Sequence, residues 1–290
     1  MALTIGHAAR ARVKELVAEA RRSLPIARAR QSPDGVHDLR VATRRLRAAA
    51  ELFGRCGAPA LAPFDEALRP VTGALGDVRD LDVQRLRLEQ ELEAASGPEA
   101  VGVRRVLARV EAELPPREEL LTLALDALDA EVLTPLERAA KEVDASQPVA
   151  GKRVKKRLRK LVGKLDERLE AARPQRGGHA PVLAAHRVRI ALKHLRYALE
   201  LTAPAFGAAG KTLRDEAKAL QTLLGDQHDV DLWLRQLVRD LAAATPAEQP
   251  GEVRLLRRAL TERDALNAKV AAELARWRKS PPGRALRKKL

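Results

Sequence analysis

Residues 36–52 read VHDLRVATRRLRAAAEL, and residues 185–201 read AHRVRIALKHLRYALEL. Laid over each other at an offset of 149 residues, His37 meets His186, Arg40 meets Arg189, Arg44 meets Lys193 and Arg47 meets Arg196. Glu51 and Leu52 meet Glu200 and Leu201 in the same register. From each histidine the basic residues recur at steps of 3, 4 and 3, which is the spacing of one face of an α-helix. The opposite register is apolar, with Leu39, Leu46, Leu52 and Phe53 in one segment and Val188, Leu192, Leu195 and Leu199 in the other. Two amphipathic helices of one design predict an all-α fold built by internal duplication.

A second motif keeps the same offset. LGDVRDLDV at 75–83 matches LGDQHDVDL at 224–232, so that Gly76, Asp77, Asp80 and Asp82 meet Gly225, Asp226, Asp229 and Asp231. Two motifs sharing one offset divide the chain into halves 1–145 and 146–290, with the boundary in the turn-favouring Ser146-Gln147-Pro148 stretch. Apolar periodicity and breakers predict helices over 3–30, 33–54, 61–75, 77–95, 98–113 and 117–143 in the first half. In the second half they fall over 150–173, 180–202, 208–224, 226–244 and 249–279, ahead of a short basic tail. The expected breaks include Gly76, Pro115-Pro116, Pro174, Gly177-Gly178, Gly207 and Gly225. Short connections favour antiparallel neighbours in a bundle.

Composition agrees. Apolar residues make up 46% of the 290-residue chain, yet only six are aromatic, so Leu, Val and Ala must fill the core as they do between packed helices. Lys and Arg outnumber Asp and Glu by 54 to 39, a formal charge of +15 that attracts anions. The lone Cys56 admits no internal disulfide. The first residues lack an apolar signal core and no stretch is long and apolar enough to span a bilayer, so a cytoplasmic location without membrane insertion is expected.

The stripes carry the functional expectation. Four like charges along about 15 Å of helix repel one another. A solvated face would interleave acids, but Glu enters only at Glu51 and Glu200. An anion lying along the stripe would turn repulsion into attraction. Other basic pairs at the same offset, Arg10 with Arg159, Arg69 with Lys218, Arg105 with Arg254 and Arg109 with Arg258, are further candidate contacts. Residues 152–164 hold eight basic side chains, too many to face a single groove. The remaining histidines, His7, His179, His194 and His228, form no metal-ligand spacing, and no metal or cofactor is expected. The Leu-Gly-Asp motifs have an economical structural reading. Gly76 and Gly225 would end helices in a left-handed turn, and Asp77 and Asp226 would cap the next, with Asp80 and Asp229 three residues on. A divalent-ion site and pairing with stripe arginines are the alternatives for these carboxylates. No Walker loop, nucleophile elbow or zinc spacing occurs, so no catalytic residue and no enzyme is expected.

The two basic segments, with Gly76 and Gly225 each following their histidine by 39 residues, resemble the CHAD family, the conserved histidine α-helical domain. The resemblance covers nearly the whole chain. It implies two helical bundles related by a pseudo-twofold axis, basic helices facing each other across a central channel or groove, and binding of inorganic polyphosphate, often at polyphosphate granules. The contacts it implies are His37, Arg40, Arg44, Arg47, His186, Arg189, Lys193 and Arg196. One departure is Arg79 where the other half has His228. Some members of the family are fused to a CYTH triphosphatase domain; no segment of that kind is read in this sequence, so the resemblance implies no hydrolytic activity. Nucleic acid is the second candidate partner; the scarcity of aromatics to stack on bases weighs against it. A metal-dependent polyphosphate hydrolase or kinase is the third candidate.

Overall fold

The computed structural model describes residues 4–30, 32–143, 146, 148–149, 151–173, 182–282 and 284–290. Ten α-helices occur among them: α1 (Ile5–Arg28), α2 (Pro33–Cys56), α3 (Pro63–Ala67), α4 (Arg69–Glu93), α5 (Gly97–Asp126), α6 (Thr134–Lys141), α7 (Lys152–Ala171), α8 (Val182–Ala242), α9 (Gln249–Lys279) and α10 (Arg284–Arg287). A 3-10 turn at Pro59–Leu61 and a π turn at Leu128–Leu133 join neighbours. Among the described residues there is no strand, only an isolated bridge between Thr4 and Pro148. The all-α expectation holds. Gln147, Pro174, the Gly177-Gly178 loop and His179 lie outside the described residues.

The apolar registers of the two amphipathic segments are buried without exception. Leu39, Leu46, Val188, Leu192 and Leu199 are fully enclosed, and Leu52, Phe53 and Leu195 nearly so. At about 1.5–3 kcal/mol for each large apolar side chain, this burial holds α2 and the first leg of α8 against their neighbours. The core comprises two clusters. The larger is built from α1, α2, α7, the first leg of α8 and parts of the other long helices. The smaller joins Leu81, Leu88, Val103 and Val110 of α4 and α5 to Val230, Trp233, Leu237 and Leu255 of α8 and α9. Each cluster draws on both sequence halves, so neither half has a core of its own.

The helix breaks need three corrections. Helix α4 runs unbroken through Gly76 and Asp77, and α8 runs through Gly225 and Asp226. Neither glycine has a positive φ, so the Leu-Gly-Asp motifs end no helix and cap none. Buried Leu75 and Val78 on either side commit the first site to a continuous helix. Helix α5 likewise continues through Pro115 and Pro116. The carbonyls that lose their donors belong to Glu111 and Ala112, both exposed, so solvent can reach them. The expected break at Gly207 is present: φ 60° and ψ −146° place it in a region that only glycine occupies readily, and α8 kinks there into legs 182–206 and 208–242.

Helices α5 and α9 cross where Gly102 meets Gly251, residues one repeat apart. A Cβ on Gly102 would overlap the carbonyl oxygen of Glu248, and one on Gly251 would overlap that of Glu99. Around this crossing the contacts are reciprocal. Arg254 bonds Glu99 at 2.6 Å while Arg105 lies 3.4 Å from Glu248; Arg258 bonds Glu91 at 2.8 Å while Arg109 lies 3.0 Å from Asp240. Arg105 donates to the Ala243 carbonyl and Arg254 to that of Ala94, at 3.2 and 3.1 Å. Every pair recurs with both numbers moved by 149 and the halves exchanged, the pattern of a self-complementary interface. Arg105 also pairs with fully buried Glu252, a contact without a counterpart because residue 103 is Val.

The crossing makes a prediction. Gly102→Ala must separate two backbones and is expected to cost about 2 kcal/mol or more in urea unfolding. Gly163→Ala, on an open face of α7 with nothing within 4 Å of the new methyl, should gain about 0.5–1 kcal/mol. A neutral Gly102→Ala would show that the helices do not cross in contact.

Candidate functional site

Helix α2 and the first leg of α8 turn their basic faces toward each other. Arg40, Arg44 and Arg47 from α2 and Arg189 and Lys193 from α8 line one open cavity of about 680 Å³. Arg69 at the start of α4 joins them, together with the acids Glu51, Asp65 and Glu66. The walls follow from the helical period: the apolar register is buried behind, which forces the basic register outward.

The cations differ in how they are held. Arg47 is tethered, with Nε donating to Asp65 Oδ1 at 2.9 Å and to the Asp65 carbonyl at 3.1 Å. Arg196, its counterpart, donates to Gln221 at 2.7 Å, pairs with Glu200, and stacks over Tyr197 at 4.2 Å from the ring centroid. Arg44 also lies near this ring, 5.9 Å from the Tyr197 centroid. Arg40 reaches no closer than 3.9 Å to a carboxylate, that of Asp80. Arg189 and Lys193 have no carboxylate partner among the described residues.

Burial and crowding together shift the titration of these groups. Burial, then the neighbouring Arg44, Arg189, Arg47 and Arg40, lowers the Lys193 ammonium to a pKa of about 8. Arg44 is lowered by burial and by Arg40, Arg196 and Arg189, with Tyr197 opposing. These groups are concentrated beyond what the protein's own acids neutralise.

Beside the stripes, α4 and the second leg of α8 present the Asp residues of the repeated motif. Asp80 and Asp229 carry raised pKa values, from the atoms packed around them first and from neighbouring carboxylates, with Arg40 and Arg189 acting the other way. Both remain exposed to solvent. Among the described residues no group of three or more His, Cys, Asp or Glu is arranged to hold a metal ion. The Arg40 guanidinium lies over α4 at Gly76, its Nε 3.4 Å from where a Cβ would stand, a distance of ordinary van der Waals contact. The third Asp of each motif is structural. Asp82, fully buried, receives both guanidinium arms of Arg30 at 3.0 and 2.7 Å, and Asp231 receives Arg263 at 2.9 Å.

The other candidates lie elsewhere. His37 is exposed, with Nδ1 3.1 Å from Asp38. His186 is half-buried and its ring stands 4.8 Å from that of His228. Burial lowers both pKa values, His228 to about 4, with Arg189 adding to each. These imidazoles are neutral at pH 7, donors rather than cations. Neither His37 nor His186 lines the basic cavity. Arg10 donates to the Val143 carbonyl and Arg159 to that of Leu290. Lys218, the counterpart of Arg69, lines a separate cavity where Arg12, Arg45 and Arg214 are balanced by Glu15, Glu200 and Asp215. Arg105, Arg109, Arg254 and Arg258 are spent on the α5–α9 crossing. Sequence reading missed Tyr197 and Arg55, which also line the basic cavity. Tyr197 was visible as the one aromatic inside a stripe.

A family model described as CHAD domain matches residues 8–238. Two curated proteins of Mycobacterium tuberculosis are similar, "Uncharacterized protein MT2285" from strain CDC 1551 / Oshkosh and "Uncharacterized protein Rv2226" from strain H37Rv. Each is 36% identical over 231 residues, which cover 74% of this chain and 42% of the relative. The chain thus spans less than half the length of these relatives. Among solved structures, the CHAD domain from the plant Ricinus communis superposes with a TM-score of 0.66 at 23% identity, over 99% of this chain and 92% of that one. PptA from Streptomyces chartreusis gives 0.64 at 19% identity, over 93% and 99%. Both share the fold. The family match runs from α1 into the second leg of α8 and takes in both basic stripes and both Leu-Gly-Asp motifs, and the chain belongs to the CHAD domain family.

Proposed function

We propose that this protein binds inorganic polyphosphate, without hydrolysing it, along the facing basic helices α2 and α8. The observation that carries the reading is the meeting of Arg40, Arg44, Arg47, Arg69, Arg189 and Lys193 around one open cavity. Guanidinium forks hold phosphate oxygens through paired N–H donors, and the ammonium acts as a point charge. A chain of linked phosphates supplies negative charge at the density this cluster presents. Association with polyphosphate granules in the cytoplasm belongs to the same proposal.

The aromatic side chains favour phosphate over nucleic acid. Phe53, Tyr197, Phe206, Trp233 and Trp277 are all buried, and Phe64 is half-buried in the packing around the core. Tyr197 already carries two arginines. Little ring surface is left for bases to stack on.

In competition binding over a salt series, long-chain polyphosphate is expected to displace single-stranded DNA and RNA, with an affinity that falls steeply as salt rises. Nucleic acid binding as well as or better than polyphosphate would overturn the proposal. The polyphosphate recovered from the same mixture with added magnesium should be unshortened.

Charge reversal separates the stripes from diffuse attraction. Arg40→Glu with Arg189→Glu is expected to weaken polyphosphate binding by more than about ten-fold, whereas Lys288→Glu with Lys289→Glu should change it by less than about two-fold. Equal losses would mean that overall charge does the binding.

Lys193 adds a pH dependence. Its pKa of about 8 in the free protein lies below the ordinary lysine value of 10.5. A bound polyanion favours the ammonium and raises that pKa, so binding takes up protons near pH 8. Affinity should therefore fall as pH rises from 7.5 to 9, by about three-fold or more, and Lys193→Arg, which stays charged throughout, should flatten the profile. Identical slopes for the two proteins would remove Lys193 from the site.

A further inference from the structure

We propose that Lys193 is a site of spontaneous acylation by small acyl phosphates, guided by the arginines that surround it. The inference rests on the cavity being a phosphate site, though not on polyphosphate being its occupant.

Among the described residues, Lys193 is the one lysine lining this cavity; its other cations are arginines. The distinction matters chemically. A guanidinium does not give up its proton in water, so arginine can hold a phosphoryl group but not attack it. An amine can attack once its proton has left. Lys193 is half-buried and makes no hydrogen bond or ion pair among the described residues. Burial and the like charges of Arg44, Arg189, Arg47 and Arg40 hold it near pKa 8, so a useful fraction is neutral amine at physiological pH. Of the acids in the same cavity, Asp65 and Glu66 are engaged by Arg47 and Arg69 at 2.9 and 2.7 Å and Glu51 by Arg55 and Arg157, and none of them pairs with Lys193. The same guanidinium groups that depress the amine are the natural seat of a small phosphate monoanion or dianion.

An acyl phosphate joins the two properties in one molecule. Its phosphoryl group binds the arginines, which brings the acyl carbon beside Nζ and raises its effective concentration there. The nitrogen lone pair forms a bond to the acyl carbon. The bond from that carbon to the phosphate oxygen breaks, and phosphate leaves with the electron pair. The proton lost by nitrogen goes to the departing phosphate, giving an amide and hydrogen phosphate with no other reactant. The product has neither charge nor basic nitrogen at the centre of the cluster. Acylation of Lys193 is therefore a modification that weakens anion binding in proportion to its extent.

The test treats the intact chain with acetyl phosphate and follows acetylation of each lysine by mass spectrometry. A parallel sample receives an uncharged acetyl ester of similar reactivity. Lys193 is expected to react at least about ten-fold faster than exposed Lys288 and Lys289 with acetyl phosphate. Excess pyrophosphate should suppress labelling of Lys193 and leave Lys288 unchanged. The preference for Lys193 should be smaller with the uncharged ester. Labelling of Lys193 no faster than of Lys288, or no protection by pyrophosphate, overturns the inference. An equal preference with the uncharged ester overturns it too, because the arginines would then have no guiding part. Polyphosphate binding measured on the same unmodified sample separates the outcomes. Strong polyphosphate binding without selective acylation refutes this inference alone, and selective acylation without polyphosphate binding refutes the proposed function alone.

Discussion

Helices α5 and α9 touch backbone to backbone at Gly102 and Gly251, and much of the remaining architecture follows from that contact. No side chain stands between the helices at the crossing, so their separation and direction are set by main-chain van der Waals surfaces. Each helix packs against a partner, α4 or the second leg of α8, and the four make the smaller apolar cluster. The far ends of these helices enter the larger cluster. The crossing therefore fixes where α4 and α8 pass beneath the basic stripes, and with them Gly76, Asp80 and Asp229. Reciprocal ion pairs ring the contact. Partly exposed pairs of this kind contribute little net stability, and buried ones such as Arg105 with Glu252 must offset their own desolvation. Their effect is better described as register: an acid from one half and an arginine from the other meet only when the helices cross at the glycines.

Arginine thus has two separate uses in this protein. At the α5–α9 crossing each guanidinium has a carboxylate from the opposite half, and the charges cancel locally. At the stripes Arg40, Arg44, Arg189 and Lys193 converge without equivalent acids, and the Lys193 pKa is lowered by burial first and by the neighbouring arginines after it. Tethered Arg47 and Arg196 lie between these extremes, held in position by Asp65, Gln221 and Glu200. The fold pairs its arginines thoroughly in one region and leaves them crowded in another, and the second region is the one the proposed function assigns to an anion from outside.

The helical registers were legible in the sequence because burial follows the helical period directly, and every residue of the two apolar stripes is enclosed. The stripe cations were legible for the same reason, being what remains once that face is buried. The breaks at Gly76, Gly225 and Pro115-Pro116 were misread because local preference was weighed without tertiary context. Packing on both sides of Gly76 outweighs glycine's tendency to end helices. The recurrence of Arg105, Arg109, Arg254 and Arg258 marked duplication, but duplicated residues include those by which the halves hold each other. A signal was available: Glu91 and Asp240, and Glu99 and Glu248, recur at the same offset. Basic residues whose acidic partners repeat with them and lie in the opposite half belong to the interface between the halves, as Arg105, Arg109, Arg254 and Arg258 do. The two histidines were matched in sequence but not in setting, since His186 meets His228 where the other half has Arg79.

The crowded cations also carry a thermodynamic consequence. Like charges held together oppose the compact state, and an unfolded chain relieves them by moving them apart. An anion that binds the folded cluster but not the dispersed chain stabilises the fold by an amount that grows with its concentration above the dissociation constant. Folding and occupancy are then linked quantities. With such an anion bound, the population of folded molecules would rise and fall with its supply, and the protein without it would be the less stable form.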